Sequence, residues 1–166
     1  MPQVSDGVDV EQCGPGGAGA AGSPAASGAN DGTVRIVSVD SGKLIDTLEG
    51  YGESAFPAIF SPDGKKIAAG SYDRKVRIWN LETRNLEGTF GNHGSYAFAL
   101  AFSQDGKTLV TGSTDTLIRI WDVATMTRRS TLIGHKIAVN SLVFFPDGKQ
   151  IASASDDGVV RVWPVD

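Results

Sequence analysis

Three tryptophans recur at a fixed spacing in this chain of 166 residues. Trp79, Trp121 and Trp163 follow one another at intervals of 42 residues. The residues around them recur at the same period, with an Asp six positions before each Trp and an Arg two positions before it. A period of this length indicates a repeat architecture rather than one irregular core. A residue that recurs in every repeat is most simply explained by a role in building that repeat.

Each repeat reads as four short β-strands. The first ends at a Phe, as in 97–102 and 139–144, and an Asp-Gly turn follows, in which Gly supplies the positive φ of a tight hairpin. The second and third strands are predicted at 107–112 and 117–121, and again at 150–154 and 159–163. A fourth strand with a less regular apolar pattern is predicted at 44–48, 86–90 and 127–133. Short β-rich runs at even spacing, without an apolar period of 3.6 residues, predict an all-β fold.

At this point the residues resemble a known family. Gly134-His135, with Trp163 28 residues after the His, and the dipeptide Trp121-Asp122 are similar to the Gly-His … Trp-Asp signature of WD-repeat β-propellers. The resemblance covers residues 24–166 and implies radially arranged four-stranded blades. The predicted strands, two in a partial repeat and twelve in the rest, amount to about three and a half blades of an incomplete ring. The repeats are about 24–49 (partial), 50–90, 91–133 and 134–166.

The resemblance also implies a buried tetrad in each blade, in which His, Asp and a Ser or Thr hold the indole N–H of the Trp. Such a network satisfies buried polar groups and stiffens the blade. The expected members are His135, Ser153, Asp157 and Trp163 in the last repeat, and His93, Thr111, Asp115 and Trp121 in the repeat before it. The second repeat keeps only Asp73 and Trp79, because Tyr51 and Ala69 replace the His and the Ser or Thr. We therefore expect the earlier blades to be less rigid.

The N-terminal 23 residues are predicted to be a disordered tail. Residues 14–29 are all Gly, Ala, Pro or Ser, and such a stretch buries too little apolar surface to offset its ordering entropy. Gly14-x-Gly16-x-x-Gly19 matches the dinucleotide fingerprint as a string. It lacks the strand and helix that the fingerprint requires, so no cofactor is predicted.

Charge and cysteine content limit the class of protein. The net charge is −4, and the three acids of the tail leave only −1 for the repeats. The absence of a basic stripe argues against nucleic acid as a main partner. The single cysteine, Cys13, allows no internal disulfide and favours a reducing compartment. With no signal peptide and no apolar run long enough to span a membrane, we expect a soluble cytoplasmic protein.

The Ser, His and Asp of one repeat could suggest a catalytic triad. The set recurs in consecutive repeats without a glycine elbow around either hydroxyl residue, which predicts a structural network and no enzyme. The acids of the Asp-Gly turns lack the clustered oxygens that calcium requires. The two histidines belong to separate tetrads, so no metal site is predicted. The recurring Arg is interpreted as a packing residue with its head at the rim.

The functional prediction rests on positions that vary between repeats. In the family, the residue before the tetrad Asp and those three and five after the His often meet partners on one rim of the ring. The candidate partner-binding residues are Phe56, Tyr72, Tyr96, Phe98, Thr114, Asn140 and Asp156. Four of them are aromatic and come from adjacent repeats, and aromatic residues are favoured as interface anchors. The alternative is that Phe56 and Phe98 lie between blades as core.

These observations together predict a non-catalytic scaffold that presents a propeller rim to a peptide or protein partner. A homodimer or a partner chain could complete the ring. One alternative is the C-terminal fragment of a larger WD-repeat regulatory protein, linked to a kinase or NTPase, whose activity lies in another part. The other is an enzyme built on the ring, for which the sequence offers no convergent set of non-repeating polar residues.

Overall fold

The computed structural model describes residues 24–50, 53–91 and 93–165, which form four antiparallel sheets. The first sheet contains β1 (Pro24–Gly28), β2 (Val34–Ser38) and β3 (Leu44–Leu48), and the second contains β4 (Ala55–Phe60), β5 (Lys66–Ser71), β6 (Val76–Asn80) and β7 (Leu86–Phe90). The third contains β8 (Ala97–Phe102), β9 (Thr108–Ser113), β10 (Ile118–Asp122) and β11 (Thr127–Leu132), and the fourth contains β12 (Val139–Phe144), β13 (Gln150–Ser155) and β14 (Val160–Pro164). Within these ranges no helix is long and apolar enough to cross a membrane.

The predicted all-β fold is confirmed, and the described residues contain the fourteen strands that were predicted. Their distribution differs, because the partial repeat holds three strands rather than two. Its β1 lies within residues 14–29, the stretch of Gly, Ala, Pro and Ser whose composition indicated too little apolar surface for an ordered structure. The predicted tail ended at residue 23, but the strand at 24–28 was missed; it pairs with β2 along its whole length and buries Ala26. The tail predicted at 1–23 and the position of Tyr51 lie outside the described residues.

In the second, third and fourth sheets, the hairpin between the first two strands forms where the sequence places an Asp before a Gly. In the second sheet, Gly64 has φ 69° and Asp63 Oδ1 accepts hydrogen bonds from the Lys65 N–H at 3.0 Å and from Ser61 Oγ at 2.6 Å. Gly106 and Gly148 have the same φ of 69° in the next two sheets. A left-handed backbone is readily adopted by Gly, so the recurring Asp-Gly sets the position of the first hairpin in each of these three sheets.

The sheets pack face to face in chain order around three apolar cores. The first core joins the first and second sheets through residues that include Val34, Ile36, Ile67 and Trp79. The second joins the second and third sheets through Val76, Ile78, Leu109 and Trp121, among others. The third joins the third and fourth sheets through Ile118, Ile120, Val139, Leu142 and Ile151, among others. The second and third sheets therefore bury one face against each neighbour, and the first and fourth sheets each contribute one face to these cores, as repeat architectures do.

The first strand of one sheet passes close to a glycine on a strand of the preceding sheet. A Cβ on Gly70 of β5 would lie 2.4 Å from the carbonyl oxygen of Ala97, on β8. A Cβ on Gly28 of β1 would lie 2.1 Å from the carbonyl oxygen of Ala55, on β4. These approaches leave no room for a side chain and set the spacing between sheets. Over the described residues the four sheets form an open array that does not close on itself.

Candidate functional site

The last sheet contains a chain of buried hydrogen bonds that joins all four expected tetrad members. The Trp163 indole N–H donates to Ser153 Oγ at 2.8 Å, and His135 Nε2 lies 2.7 Å from the same hydroxyl. His135 Nδ1 lies 3.0 Å from Asp157 Oδ2, which also accepts from the Lys136 N–H at 3.0 Å. The chain links β14 and β13 to the loop before β12, so it stabilises the sheet from inside.

In the third sheet the equivalent residues form a shorter series of hydrogen bonds. The Trp121 indole N–H donates to Thr111 Oγ1 at 2.9 Å, and His93 Nε2 lies 2.8 Å from that oxygen. No hydrogen bond joins His93 to Asp115 in this part of the chain. Asp115 instead accepts from the Gly94 N–H at 2.5 Å and from both terminal nitrogens of Arg119, at 2.7 and 3.1 Å. The expected four-membered network is thus three-membered here.

An Arg–Asp ion pair occupies the same place in all four sheets. The pairs are Arg35–Asp31 and Arg77–Asp73 at 2.6 Å, Arg119–Asp115 at 2.7 Å, and Arg161–Asp157 at 3.0 Å. The interpretation of this Arg as a packing residue with its head at the rim was incomplete, because Arg119 has only 4% of its side chain exposed. The sequence contained the signal, since the Asp and Arg stand four positions apart in every repeat.

Burial and these contacts shift the ionisation of the third-sheet residues. Burial lowers the pKa of His93 to about 4, and the nearby charge of Arg119 adds to the effect. Burial alone would raise the pKa of Asp115, but the hydrogen bonds from Arg119 and Gly94 outweigh it and lower that pKa. At neutral pH His93 is therefore uncharged and Asp115 ionised.

The remaining tetrad residues, in the second sheet, lie in two different environments. Trp79 belongs to the apolar core between the first and second sheets, with Ala69 at the position that Ser or Thr takes elsewhere. Asp73 pairs with Arg77 in the turn that leads to β6. The structure therefore places Asp73 in an ion pair and Trp79 in the core.

The buried hydroxyls are enclosed by the networks that hold them. Ser153 is 2% exposed, and its oxygen contacts both an indole and an imidazole. A nucleophilic Ser needs an accessible hydroxyl and donors for an oxyanion. In this geometry the Ser153 hydroxyl is a member of the hydrogen-bond network.

The four aromatic rim candidates meet in one cluster, which we call the aromatic rim cluster (Phe56, Tyr72, Tyr96 and Phe98). The Tyr72 and Tyr96 rings lie 4.5 Å apart, tilted by 40°. Phe56 stacks on Tyr72 at 6.2 Å, and Phe98 meets Tyr72 edge-on at 6.0 Å and Tyr96 at 6.2 Å. The rings come from two sheets, so residues up to 42 positions apart along the chain form one surface.

The cluster lies outside the three apolar cores. Tyr72 is 37% exposed and Tyr96 is 40% exposed, while Phe56 and Phe98 are half-buried beneath them. Within the described residues, no hydrogen bond ties down either tyrosine hydroxyl. The alternative that Phe56 and Phe98 are core residues holds only in part, because each supports an exposed tyrosine ring instead of joining a blade core.

Backbone hydrogen bonds hold the cluster in place. The Tyr72 N–H donates to the Ser54 carbonyl at 3.1 Å, which joins the turn after β5 to the segment before β4. The Tyr96 N–H donates to Thr114 Oγ1 at 3.1 Å, and the Thr114 N–H donates back to the Tyr96 carbonyl at 3.0 Å. Thr114 is thus a positioning residue for Tyr96.

The two remaining rim candidates form a separate polar pair in the last sheet. The Asn140 side-chain amide donates to Asp156 Oδ1, and the Asp156 N–H donates to the Ala138 carbonyl at 3.1 Å. Both side chains are exposed. The candidate rim therefore has an aromatic part on the second and third sheets and a polar part on the fourth.

Comparison with known proteins identifies a family whose model matches this chain. The family model described as "WD domain, G-beta repeat" matches three times, at residues 42–80, 84–122 and 126–164. Each matched unit begins near the outermost strand of one sheet and ends with the third strand of the next, so every unit spans two sheets. A search of curated proteins found no match.

Proposed function

Because the chain belongs to the WD-repeat family, we propose that it is a non-catalytic scaffold whose aromatic rim cluster binds a peptide or protein. WD repeats are generally protein-interaction scaffolds. The observation that carries the proposal is the exposed stack of Tyr72 and Tyr96, supported by Phe56 and Phe98. The proposal assigns no cofactor, metal or nucleic acid.

Two features of the cluster favour an anchoring role. Aromatic side chains bury a large area with few rotatable bonds, so they bind at low entropic cost. The rings also contact one another and are tied by backbone hydrogen bonds at Tyr72 and Tyr96. Such a surface is already ordered before a partner arrives, which lowers the cost of binding.

The polar part of the rim complements the aromatic part. Asn140 and Asp156 expose a side-chain amide and a carboxylate. An extended peptide that places an apolar side chain on the tyrosines would have polar groups available for its backbone further along the rim. We therefore propose that the partner segment is extended, with an apolar anchor over the second and third sheets.

The test is a selection of peptides from a displayed random library on the immobilised chain of 166 residues. Binding of the selected peptides is then measured for Tyr72→Ala and Tyr96→Ala by titration calorimetry. Loss of an aromatic anchor costs about 2 kcal/mol, so affinity should fall roughly thirtyfold. Leu86→Ala is the matched control, because Leu86 is a 49% exposed apolar residue on the outermost strand β7.

Thermal unfolding, followed by tryptophan fluorescence, must show that both tyrosine variants remain folded. Peptides that bind the two variants as tightly as the wild type would place the site elsewhere. Unfolding of both variants would instead assign the tyrosines to the structural core, and the proposed site would be wrong.

A further inference from the structure

The outer face of the fourth sheet is largely apolar, and no other sheet in the described part of the chain packs on it. Its exposed apolar residues include Val143, Val160 and Val162, which are 46%, 68% and 52% exposed. The strand register aligns Val162 with Ala152 and Ala152 with Val143, and it aligns Val160 with Ala154. These side chains therefore form rows on one side of the sheet.

This face, which we call the terminal face, contains nine uncharged residues. They are Ser141, Val143, Phe145, Gln150, Ala152, Ala154, Val160, Val162 and Pro164. Seven of the nine residues are apolar, and a contiguous apolar patch of this kind on a protein surface marks an interaction site. A partner that depends on ion pairing would find no opposite charge on it.

The corresponding positions in the other sheets are buried. Val160 takes the place of Val34, Val76 and Ile118, each of which is 0% exposed. Val162 takes the place of Ile36, Ile78 and Ile120, which are 4%, 0% and 1% exposed. In all three cases, the cover is the opposite face of the next sheet along the chain.

Among the described residues, none packs on that opposite face of the first sheet. Val37 stands at the position of the recurring Trp, and Leu44 pairs with it in the register. Leu44 is 59% exposed, and Val39, at the position of the buried Val123, is 66% exposed. Each end of the array thus shows one half of the contact that the chain makes three times within itself.

We propose that the terminal face of one chain packs on the outer face of the first sheet of a second copy. The contact continues the sheet-on-sheet packing that already joins the four sheets. It is heterologous, because two different surfaces meet, and two such contacts would close a symmetric ring of two copies. The aromatic rim cluster lies outside this contact, so the inference is independent of the proposed binding function.

The test compares self-association of the wild type with that of two single variants by sedimentation velocity and light scattering. Val162→Lys places a charge on the terminal face, and Val39→Lys places one on the outer face of the first sheet. The wild type should form a dimer or a series of higher multiples. In each variant the dissociation constant for self-association should rise by about tenfold or more. Leu86→Lys should associate like the wild type, because Leu86 lies on neither face.

Mixing the two variants identifies the geometry. A head-to-tail contact leaves one intact pair of surfaces in the mixture, so Val162→Lys and Val39→Lys together should form a one-to-one complex. If two terminal faces contacted each other instead, Val39→Lys would associate like the wild type, and mixing would not bring Val162→Lys into a complex. Either result would overturn the proposal. A monomeric wild type, or multiples insensitive to both substitutions, would also overturn it.

Discussion

The Arg119 guanidinium donates two hydrogen bonds, of 2.7 and 3.1 Å, to the Asp115 carboxylate, which makes no hydrogen bond to His93 among the described residues. In the last sheet, the equivalent Asp157 contacts both Arg161 and His135. One repeated motif thus gives two arrangements. The difference makes the third sheet dependent on a buried ion pair, with 4% of the Arg119 side chain and 14% of the Asp115 side chain exposed.

Breaking this ion pair should destabilise the protein strongly. Arg119→Met leaves Asp115 charged in a site that excludes water, and removal of one partner of a buried pair costs about 3 kcal/mol or more. The free energy of unfolding in urea measures the loss. The double variant Asp115→Asn with Arg119→Met should regain part of it, because no unpaired charge remains.

Arg35→Met is the matched control for Arg119→Met. The Arg35–Asp31 pair has the same spacing, but 33% and 49% of the two side chains are exposed. Solvent screens such a pair, so the control should lose much less stability. Equal losses in the two variants would show that burial of the third-sheet pair is not the cause.

The free energy of unfolding should decrease as the pH is lowered from 7 to 5, because of His93. The pKa of His93 is about 4 in the folded state, against 6.5 as its ordinary value. Between these values the unfolded chain binds more protons, so stability is fully present above pH 6.5 and is lost as the pH falls towards 4. The expected loss from pH 7 to pH 5 is about 2 kcal/mol.

His93→Gln isolates this contribution, because Gln keeps a hydrogen-bonding side chain and does not titrate in this range. Urea unfolding at pH 7 and pH 5 should show a smaller pH dependence in the variant than in the wild type. The ring resonances of His93, followed by NMR, should titrate well below pH 6.5. Identical pH dependence in the two proteins would remove His93 as the source.

A glycine at position 116 should stabilise the protein. Thr116 has φ 74°, a left-handed conformation that is strained for a β-branched residue. The equivalent positions in the first and last sheets are Gly32 and Gly158, with φ 80° and 76°. Thr116→Gly should raise the melting temperature and add about 0.5 to 1 kcal/mol.

The comparison for Thr116→Gly is Thr89→Gly, at an exposed position within β7. A glycine inside a regular strand costs conformational entropy and should destabilise by about 0.5 to 1 kcal/mol. Opposite signs for the two substitutions are the expected result. Destabilisation by both would mean that the Thr116 side chain stabilises the turn by more than its backbone strain costs.

Gly70→Ala should be poorly tolerated. A Cβ at this position would meet the carbonyl oxygens of Ala97 at 2.4 Å and of Phe56 at 2.6 Å, which belong to backbone that cannot move without shifting a strand. The cost should be about 3 kcal/mol, as in overpacked cores. At Gly91, φ is not positive and an added Cβ would meet no described residue within 4 Å, so Gly91→Ala should change stability by less than about 0.5 kcal/mol. Chemical denaturation of the two variants measures the difference.

The repeat itself was predictable because it depends on local pattern. The 42-residue period placed the strands to within one residue in most cases, since each hairpin is set by its own turn and by the alternation of apolar residues. The strand count missed β1 at 24–28, where composition suggested too little apolar surface. Pairing with β2 supplies that strand with hydrogen bonds that composition does not measure.

The sequence by itself determined the all-β repeat, the turns and the residues that could form tetrads. Only the tertiary structure decided which partners those residues took. Asp115 binds Arg119 and not His93, four rings from two sheets stack into one rim cluster, and Val160 is exposed where Val76 and Ile118 are buried. The physical reason is that strands and turns follow from neighbours in the chain, whereas these contacts depend on the distance and angle between packed sheets, which no single repeat encodes.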